Sequence, residues 1–199
     1  MRRTRYHTVT ELEDQVLIDR CLAGQTEAFG LLVQRYQHRL YGTLVHVVGS
    51  RELARDIAQD AFLLAFEKLA SFRGTSAFYS WLFRIALNAA SSAHRKSPRA
   101  KQSLDALRER TGEEPTDNRA SAAPEHGLEV SDRQRLVRNA LAELPEEFRT
   151  ALVLKELEQL KYEEIAEILN IPVGTVRSRI HRGREELRAK LLPVLKSEQ

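Results

Sequence analysis

The sequence predicts an all-α protein built as two small helical domains joined by a flexible linker. Three observations carry that prediction. Apolar residues recur at helical spacing through both ends of the 199-residue chain. No stretch alternates in the manner of a strand. The segment Ser97 to Val130 has a different texture, with Pro98, Pro115 and Pro124, two glycines and few large apolar residues. It is too long for an ordinary connection between helices and reads as a linker.

Each element follows from local signals. Thr10 and Glu13 form a capping-box pattern, and the first helix runs to about Ala23, where Gly24 stops it. Thr26 is placed to cap the second helix. Its inward stripe is Phe29, Leu32, Val33, Tyr36, Leu40, Leu44, Val47 and Val48, and Gly49 ends it. Ser50 caps a third helix reaching about Ala70, with Leu53, Ile57, Ala61 and Leu64 facing inward. The loop Ser71-Phe72-Arg73-Gly74-Thr75 precedes a fourth helix from Ala77 to Lys96. These four helices define a first domain, residues 1–96, and the linker spans 97–130, where Leu104 and Leu107 support at most a short helical turn. The second domain, 131–199, opens with helices over Ser131–Glu143 and Pro145–Leu157, the latter with proline at its start.

The end of the chain carries the strongest pattern. Ile165, Ala166 and Leu169 lie on one face of a short helix, broken by Asn170-Ile171-Pro172. A second helix follows with Val176, Ile180 and Leu187 as its inward stripe. Its other faces carry Thr175, Arg177, Ser178, Arg179, His181, Arg182 and Arg184. Paired helices with a tight turn and a donor-rich second helix suit a DNA major groove. An arginine-rich face alone is more often just a solvated surface. The preceding segment is acidic on its outer face (Glu143, Glu146, Glu147, Glu156, Glu158, Glu163, Glu164, Glu167), so basic charge concentrates on the last helix.

Composition sets bounds. Net charge is only +3, so the distribution of charge, not its total, points to nucleic acid. The lone Cys21 excludes an internal disulfide or a cysteine-based zinc site and fits a reducing compartment. Met1 to His7 is basic but no apolar run follows, and no stretch approaches the length of a membrane span. A soluble cytoplasmic protein without cofactor is expected. The histidines (His7, His38, His46, His94, His126, His181) are scattered, with no metal-spaced pair and no glycine-rich phosphate loop. Neither a catalytic residue nor a metal site is assigned.

Two further signals lie in the first domain. Glu52, Asp56 and Asp60 fall four residues apart, flanked by Gln59. Such a row suits docking on a basic partner, or is a solvated face paired with Arg51 and Arg55. Phe72, Phe78, Tyr79, Trp81 and Phe83 cluster beside Arg73 and Arg84, and His94, Arg95, Lys96, Arg99 and Lys101 follow. Aromatic faces stack on unpaired bases while basic side chains hold phosphates. The competing reading is that the aromatics are core. Trp81, Leu82 and Ile85 are expected to pack inward, and Phe72 and Tyr79 are the better candidates for base contact. Trp81 and Phe83, two apart, cannot share a helix face, so one of them is expected to be exposed or at a domain edge.

Taken together these blocks resemble a known family. Phe72-Arg73-Gly74, Ala77 through Ala86 and then Asn88 resemble the promoter-melting region of extracytoplasmic-function sigma factors of the sigma-70 family, sigma-E type. Asp56 through Phe62 resembles that family's polymerase-binding helix. Leu144-Pro145, Arg149, Glu163 through Ala166, and Pro172 through Arg182 resemble its helix-turn-helix domain. The resemblance implies a factor that binds core RNA polymerase, recognises −10 and −35 promoter elements and promotes melting, in an envelope or extracytoplasmic stress response. By it, Glu52, Asp56, Gln59 and Asp60 face the clamp helices of the largest polymerase subunit, with the flap as a further contact. Phe72, Arg73, Phe78, Tyr79, Trp81, Arg84, Asn88, Arg95 and Lys96 handle single-stranded −10 DNA. Thr175, Arg177, Ser178, Arg179, His181, Arg182 and Arg184 handle the −35 duplex. An anti-sigma partner is implied as well. The chain departs from the family after Asn88, where Ala89, Ala90, Ser91, Ser92 and Ala93 are small or polar. A self-sufficient repressor or activator is the competing class. It would bind a palindromic duplex without polymerase.

Overall fold

A computed structural model describes residues 13–96 and 134–197, and every regular element among the described residues is helical. The linker, the Thr10 cap and the turn at Leu104 and Leu107 lie outside the described residues.

Helix α1 (Asp14–Leu22) buries Leu17, Ile18 and Cys21 and is followed by Gly24 at φ 95°. The Asp14 carboxylate at its start accepts from Arg35 at 2.5 Å and from the Tyr36 hydroxyl, which fastens α1 to α2 (Glu27–Val48). Burial and that carboxylate push the Tyr36 phenol up to about 12. Thr26 precedes α2 in helical backbone, and its side chain makes no cap. Gly49 ends α2 at φ 73°, a left-handed conformation that glycine adopts without a Cβ clash. Ser50 Oγ then accepts from the Leu53 N–H at 3.3 Å and caps α3 (Arg51–Glu67).

The inward face of α3 is rotated from the expected one. Ala54, Ile57, Ala58, Ala61, Phe62 and Ala65 are buried, whereas Leu53 is exposed. Small residues at four of those six positions let α3 lie close to α2 and α4, which turns Leu53, Leu63 and Phe66 outward. A 3-10 turn (Leu69–Ser71) and a loop with Gly74 at φ 68° lead into α4 (Phe78–Lys96).

The second unit begins with α5 (134–142). Helix α6 (Glu146–Glu156) starts behind Pro145 and buries Thr150 through Leu154. Helix α7 (Tyr162–Leu169) has the Glu164 carboxylate accepting from the Lys161 N–H at 2.7 Å. Asn170 closes α7 at φ 52°, and its side chain tolerates that geometry better than a branched residue would. Helix α8 (Val173–Ser197) seats Val176 and Ile180 inward against α6 and α7. It crosses α6 at Gly183, where an added Cβ would lie 3.3 Å from the Phe148 carbonyl oxygen.

The two units pack on each other. Helix α2 contacts α6, helix α4 contacts α7, and one continuous apolar cluster runs from Leu17 to Ile180. Within it, both Trp81 and Phe83 are buried, so neither is exposed, which was one of the two placements expected for such a pair, the other being a domain edge. Every residue from Phe78 to Phe83 is buried, because neighbours cover α4 on more than one side: α2 and α3, and then α7.

Gly183→Leu forces an isobutyl group into the α6–α8 crossing. It is expected to cost about 1–3 kcal/mol through overpacking. A urea titration reads this as a lower midpoint at unchanged slope. A wild-type midpoint would mean that the two helices do not cross there.

Candidate polymerase and nucleic-acid interfaces

Three surfaces were expected from the sequence, and each has a definite geometry. On α3, Glu52, Asp56, Gln59 and Asp60 are all exposed, on the side opposite the Ile57 and Ala61 core positions. Leu63 and Phe66 continue outward beyond them at helical spacing and are 58% and 44% exposed. A groove of about 1070 Å³ runs beside this face, lined by Phe29, Val33 and Tyr41 of α2 and by Glu52, Gln59 and Phe66 of α3. An acidic edge beside exposed apolar side chains can receive a partner that is basic at its rim and apolar at its centre. Leu63 and Phe66 carried a sequence signal that the inward stripe did not use: they are apolar out of phase.

On α4 and the loop before it, the aromatics form one packed group. Phe72 meets Phe78 edge-to-face and Trp81 at a tilt, with centroids 5.8 and 5.3 Å apart, and Phe78 meets Tyr36 at 5.7 Å. Phe78 and Trp81 belong to the core, and Phe72 is half-buried at its edge. Arg73, Arg84 and Asn88 are exposed. The side chains of Arg95 and Lys96 lie outside the described residues. Tyr79, a candidate for base contact, is buried at 4% exposure. The Arg39 guanidinium lies 4.0 Å from the centre of its ring, and its hydroxyl is 3.3 Å from Thr43 Oγ. Burial pushes its phenol far above the ordinary value, so it stays neutral.

On α8, Arg177, Ser178, His181 and Arg182 are exposed on one face, while Thr175 and Arg179 are partly covered. Acids of the same unit hold part of the basic set. Arg179 pairs with Glu147 at 2.8 Å, Arg184 with Glu156 at 2.6 Å, and Lys190 with Glu143 at 2.7 Å. His181 lies 3.5 Å from Glu185 one turn on. The acidic segment therefore neutralises some of the last helix's charge, and Arg177 and Arg182 have no such ion pair among those described.

Glu158 departs from its expected outward position. Its side chain is only 6% exposed and accepts from Arg39 Nε at 2.7 Å and from the Thr43 hydroxyl, both on α2. Neither partner was singled out in the sequence. Thr43 left a trace as a polar residue in phase with Leu40, Leu44 and Val47, and Arg39 left none. Among the described residues no group of His, Cys, Asp or Glu could hold a metal ion. Nor is any helix there long and apolar enough to cross a membrane.

A two-part helical molecule with an exposed acidic face, an aromatic loop beside basic residues and a helix-turn-helix is the architecture of a transcription-initiation subunit. Comparison with known proteins agrees. The families described as Sigma-70 region 2 and Sigma-70 region 4 match residues 32–100 and 134–187. The ECF RNA polymerase sigma-E factor of Haemophilus influenzae is 41% identical over 187 residues, covering 93% of this chain and 98% of that protein. The sigma-E factor of Escherichia coli K12 is 40% identical over 189 residues, covering 94% of this chain and 98% of that protein. The RNA polymerase sigma-H factor of Pseudomonas aeruginosa is 40% identical over 192 residues, covering 94% and 98%. Among solved structures, CnrH in complex with the cytosolic domain of CnrY superposes with a TM-score of 0.62 at 24% identity over 94% of this chain and 99% of that one. The sigma factor RpoE in complex with the anti-sigma factor NepR from Bartonella quintana gives 0.63 at 24% identity over 82% and 96%. The chain belongs to the extracytoplasmic-function sigma factors of the sigma-70 family, sigma-E type. It is thus a promoter-recognition and melting subunit of RNA polymerase and not an enzyme.

The contact between the units also contains a titrating group. His46, near the end of α2, has a buried Nδ1 without a hydrogen-bond partner, and burial followed by repulsion from Arg138 of α5 lowers its pKa below 6.5. A folded value below the unfolded one means that the unfolded chain binds the proton first as pH falls. His46 therefore withdraws stability as pH drops through 6.5, and the loss levels off below the depressed native value. His46→Gln is expected to flatten that limb of a urea-midpoint profile between about pH 7.5 and 5. Parallel profiles for the two proteins would remove His46 as the cause.

Proposed function

We propose that the three surfaces divide the work of promoter opening. Residues 1–96 form a domain that binds core polymerase and handles the −10 element, 97–130 tether it, and 131–199 grip the −35 element. Glu52, Asp56, Gln59 and Asp60 dock on the basic clamp helices of the largest polymerase subunit. The observation that carries this reading is the unbroken exposed row on α3, acidic along its length and apolar at Leu63 and Phe66. An acidic row with only a solvating role would not be expected to continue into two exposed large apolar side chains.

Phe72, Arg73, Phe78, Tyr79, Trp81, Arg84, Asn88, Arg95 and Lys96 form the single-strand surface. Within it, Phe72 and Tyr79 stack on captured bases, Phe78 and Trp81 shape the cradle beneath Phe72, and the polar and basic members hold bases and phosphates. Each stacked base returns roughly 1–3 kcal/mol against the cost of melting. Thr175, Arg177, Ser178, Arg179, His181, Arg182 and Arg184 form the duplex surface, with Arg177 and Arg182 as its leading contacts and Arg179 and Arg184 recruited from their carboxylates. The tether makes the two DNA contacts act together, so the spacing of the promoter elements becomes part of specificity.

The protein acts in the cytoplasm in an envelope or extracytoplasmic stress response, held in check by an anti-sigma factor. The sigma-E names of its relatives and the anti-sigma partner in the Bartonella complex support that part of the reading.

Reversing charge with Asp56→Lys and Asp60→Lys is expected to weaken co-elution with core polymerase at least tenfold while the circular dichroism stays that of the parent. Normal co-elution of the doubly reversed protein would strike the acidic row from the interface. Phe72→Ala is expected to spare core binding and reduce promoter opening by about the factor that one lost stacking contact represents, roughly tenfold. Permanganate reactivity across the −10 region reads this directly, and unchanged reactivity would end the base-capture assignment.

A further inference from the structure

The basic run before α1 is a sequence signal that none of the three surfaces uses. Residues 1–10 carry Arg2, Arg3, Arg5, Tyr6 and His7 and no acid. The place where α1 begins decides what those residues can reach. Glu13 is extended, at φ −60° and ψ 146°, and the helix starts at Asp14. Asp14 accepts from Arg35 at 2.5 Å and from the Tyr36 hydroxyl. The Tyr36 ring lies 5.7 Å from Phe78, and Phe78 lies 5.8 Å from Phe72. Gln15 places its Oε1 3.4 Å from where a Cβ on Gly74 would stand. The first turn of α1 is therefore fixed beside the Phe72–Gly74 loop, on which Arg73 is exposed.

We propose that residues 2–7 are a phosphate-binding arm: rooted beside the Phe72–Gly74 loop, it grips the backbone of the single strand whose bases that loop captures. This rests on the reading of the loop as the single-strand surface. From Glu13 back to Arg5 the chain reaches at most roughly 30 Å, enough to follow a strand away from the loop. Basic arms beside a folded DNA-binding unit add phosphate contacts that do not depend on sequence. Tyr6 among the arginines offers a ring on which a base can stack. Glu11 and Glu13 stand between the arginines and the helix. They favour the helix dipole and repel phosphate, so the contacts fall to the arginines further out. The acidic row of α3 is the other target of matching charge. It occupies the first half of α3, whereas α1 touches α2 and the Leu69–Ser71 turn beyond the end of α3. The root of the arm thus favours the strand. Because that root is fixed, each phosphate held raises the local concentration of neighbouring bases at the loop.

The test uses the full chain and a fluorescein-labelled dT20 strand, with anisotropy read from about 50 to 200 mM KCl. Arg2→Ala, Arg3→Ala and Arg5→Ala are combined in one protein. A control loses the same charge through Arg55→Ala, Lys161→Ala and Arg188→Ala, at exposed positions outside the assigned surfaces. Each phosphate contact on a single strand contributes roughly 0.7 to the slope of log affinity against log salt. The arm variant is expected to lower that slope by about 2 and to weaken binding about tenfold or more at the lowest salt, and the control to do neither. Equal slopes and affinities in the two variants would overturn the arm. Unchanged dT20 binding with tighter co-elution with core polymerase would seat the segment on the α3 row, and would overturn it too. Phe72→Ala separates the arm from the reading beneath it, because a lost stacking contact weakens binding by one factor at every salt concentration and leaves the slope alone. If the arm variant lowers the slope and Phe72→Ala has no effect, the arm stands as a phosphate site and base capture by Phe72 fails. If Phe72→Ala weakens binding and the arm variant matches its control, the loop stands and the arm falls.

Discussion

The architecture depends on the crowding around the start of α4. Six successive residues, Phe78 to Phe83, are buried. A helix turns about 100° per residue, so six in a row point in every direction around the axis. No single flanking layer can cover such a segment. Helices α2 and α3 take part of it, and α7 of the second unit contacts the same helix. A helix apolar all round belongs inside a protein. Here part of that cover comes from the second unit, through α7 against the same helix and Glu158 beside Tyr79.

On the proposed reading, that requirement conflicts with base capture. Aromatic rings that stack on bases have to be reachable, yet rings left in water cost solubility and stability. Phe72 resolves this locally, half-buried at the edge of its own aromatic cluster. Tyr79 is covered instead, with Arg39 of its own domain over its ring and the Glu158 carboxylate of the other beside its hydroxyl. On α8, Arg179 and Arg184 each rest on a glutamate, which on the same proposed reading a phosphate would displace. Exposed pairs of this kind contribute little to stability, so exchanging carboxylate for phosphate costs little.

Most of the fold was legible because helix signals are local. Gly24, Gly49, Ser50, Pro145 and Asn170 each do at a helix boundary what their backbone chemistry predicts. The exposed acidic row on α3 was legible because its spacing matches the helical period. The departures share one physical cause. The outward turn of Leu53, the burial of both Trp81 and Phe83, and the withdrawal of Glu158 from solvent all depend on which surfaces meet across the molecule. Periodicity describes one helix against one core and carries no information about a second neighbour. Arg39 is the clearest case: nothing around it in the chain distinguishes it from any arginine on a solvated helix, and its role exists only because Glu158 arrives from 119 residues away.

On the proposed division of work, the distribution of exposed and covered surfaces orders the events. The α3 face and the Arg177 and Arg182 face are open, whereas within the proposed single-strand set Phe72 is half-buried and Tyr79 is buried. On that reading the subunit meets its protein partner and intact duplex with side chains that are already exposed. The surface that must wait is the one whose ligand does not yet exist, because unpaired bases appear only after melting begins.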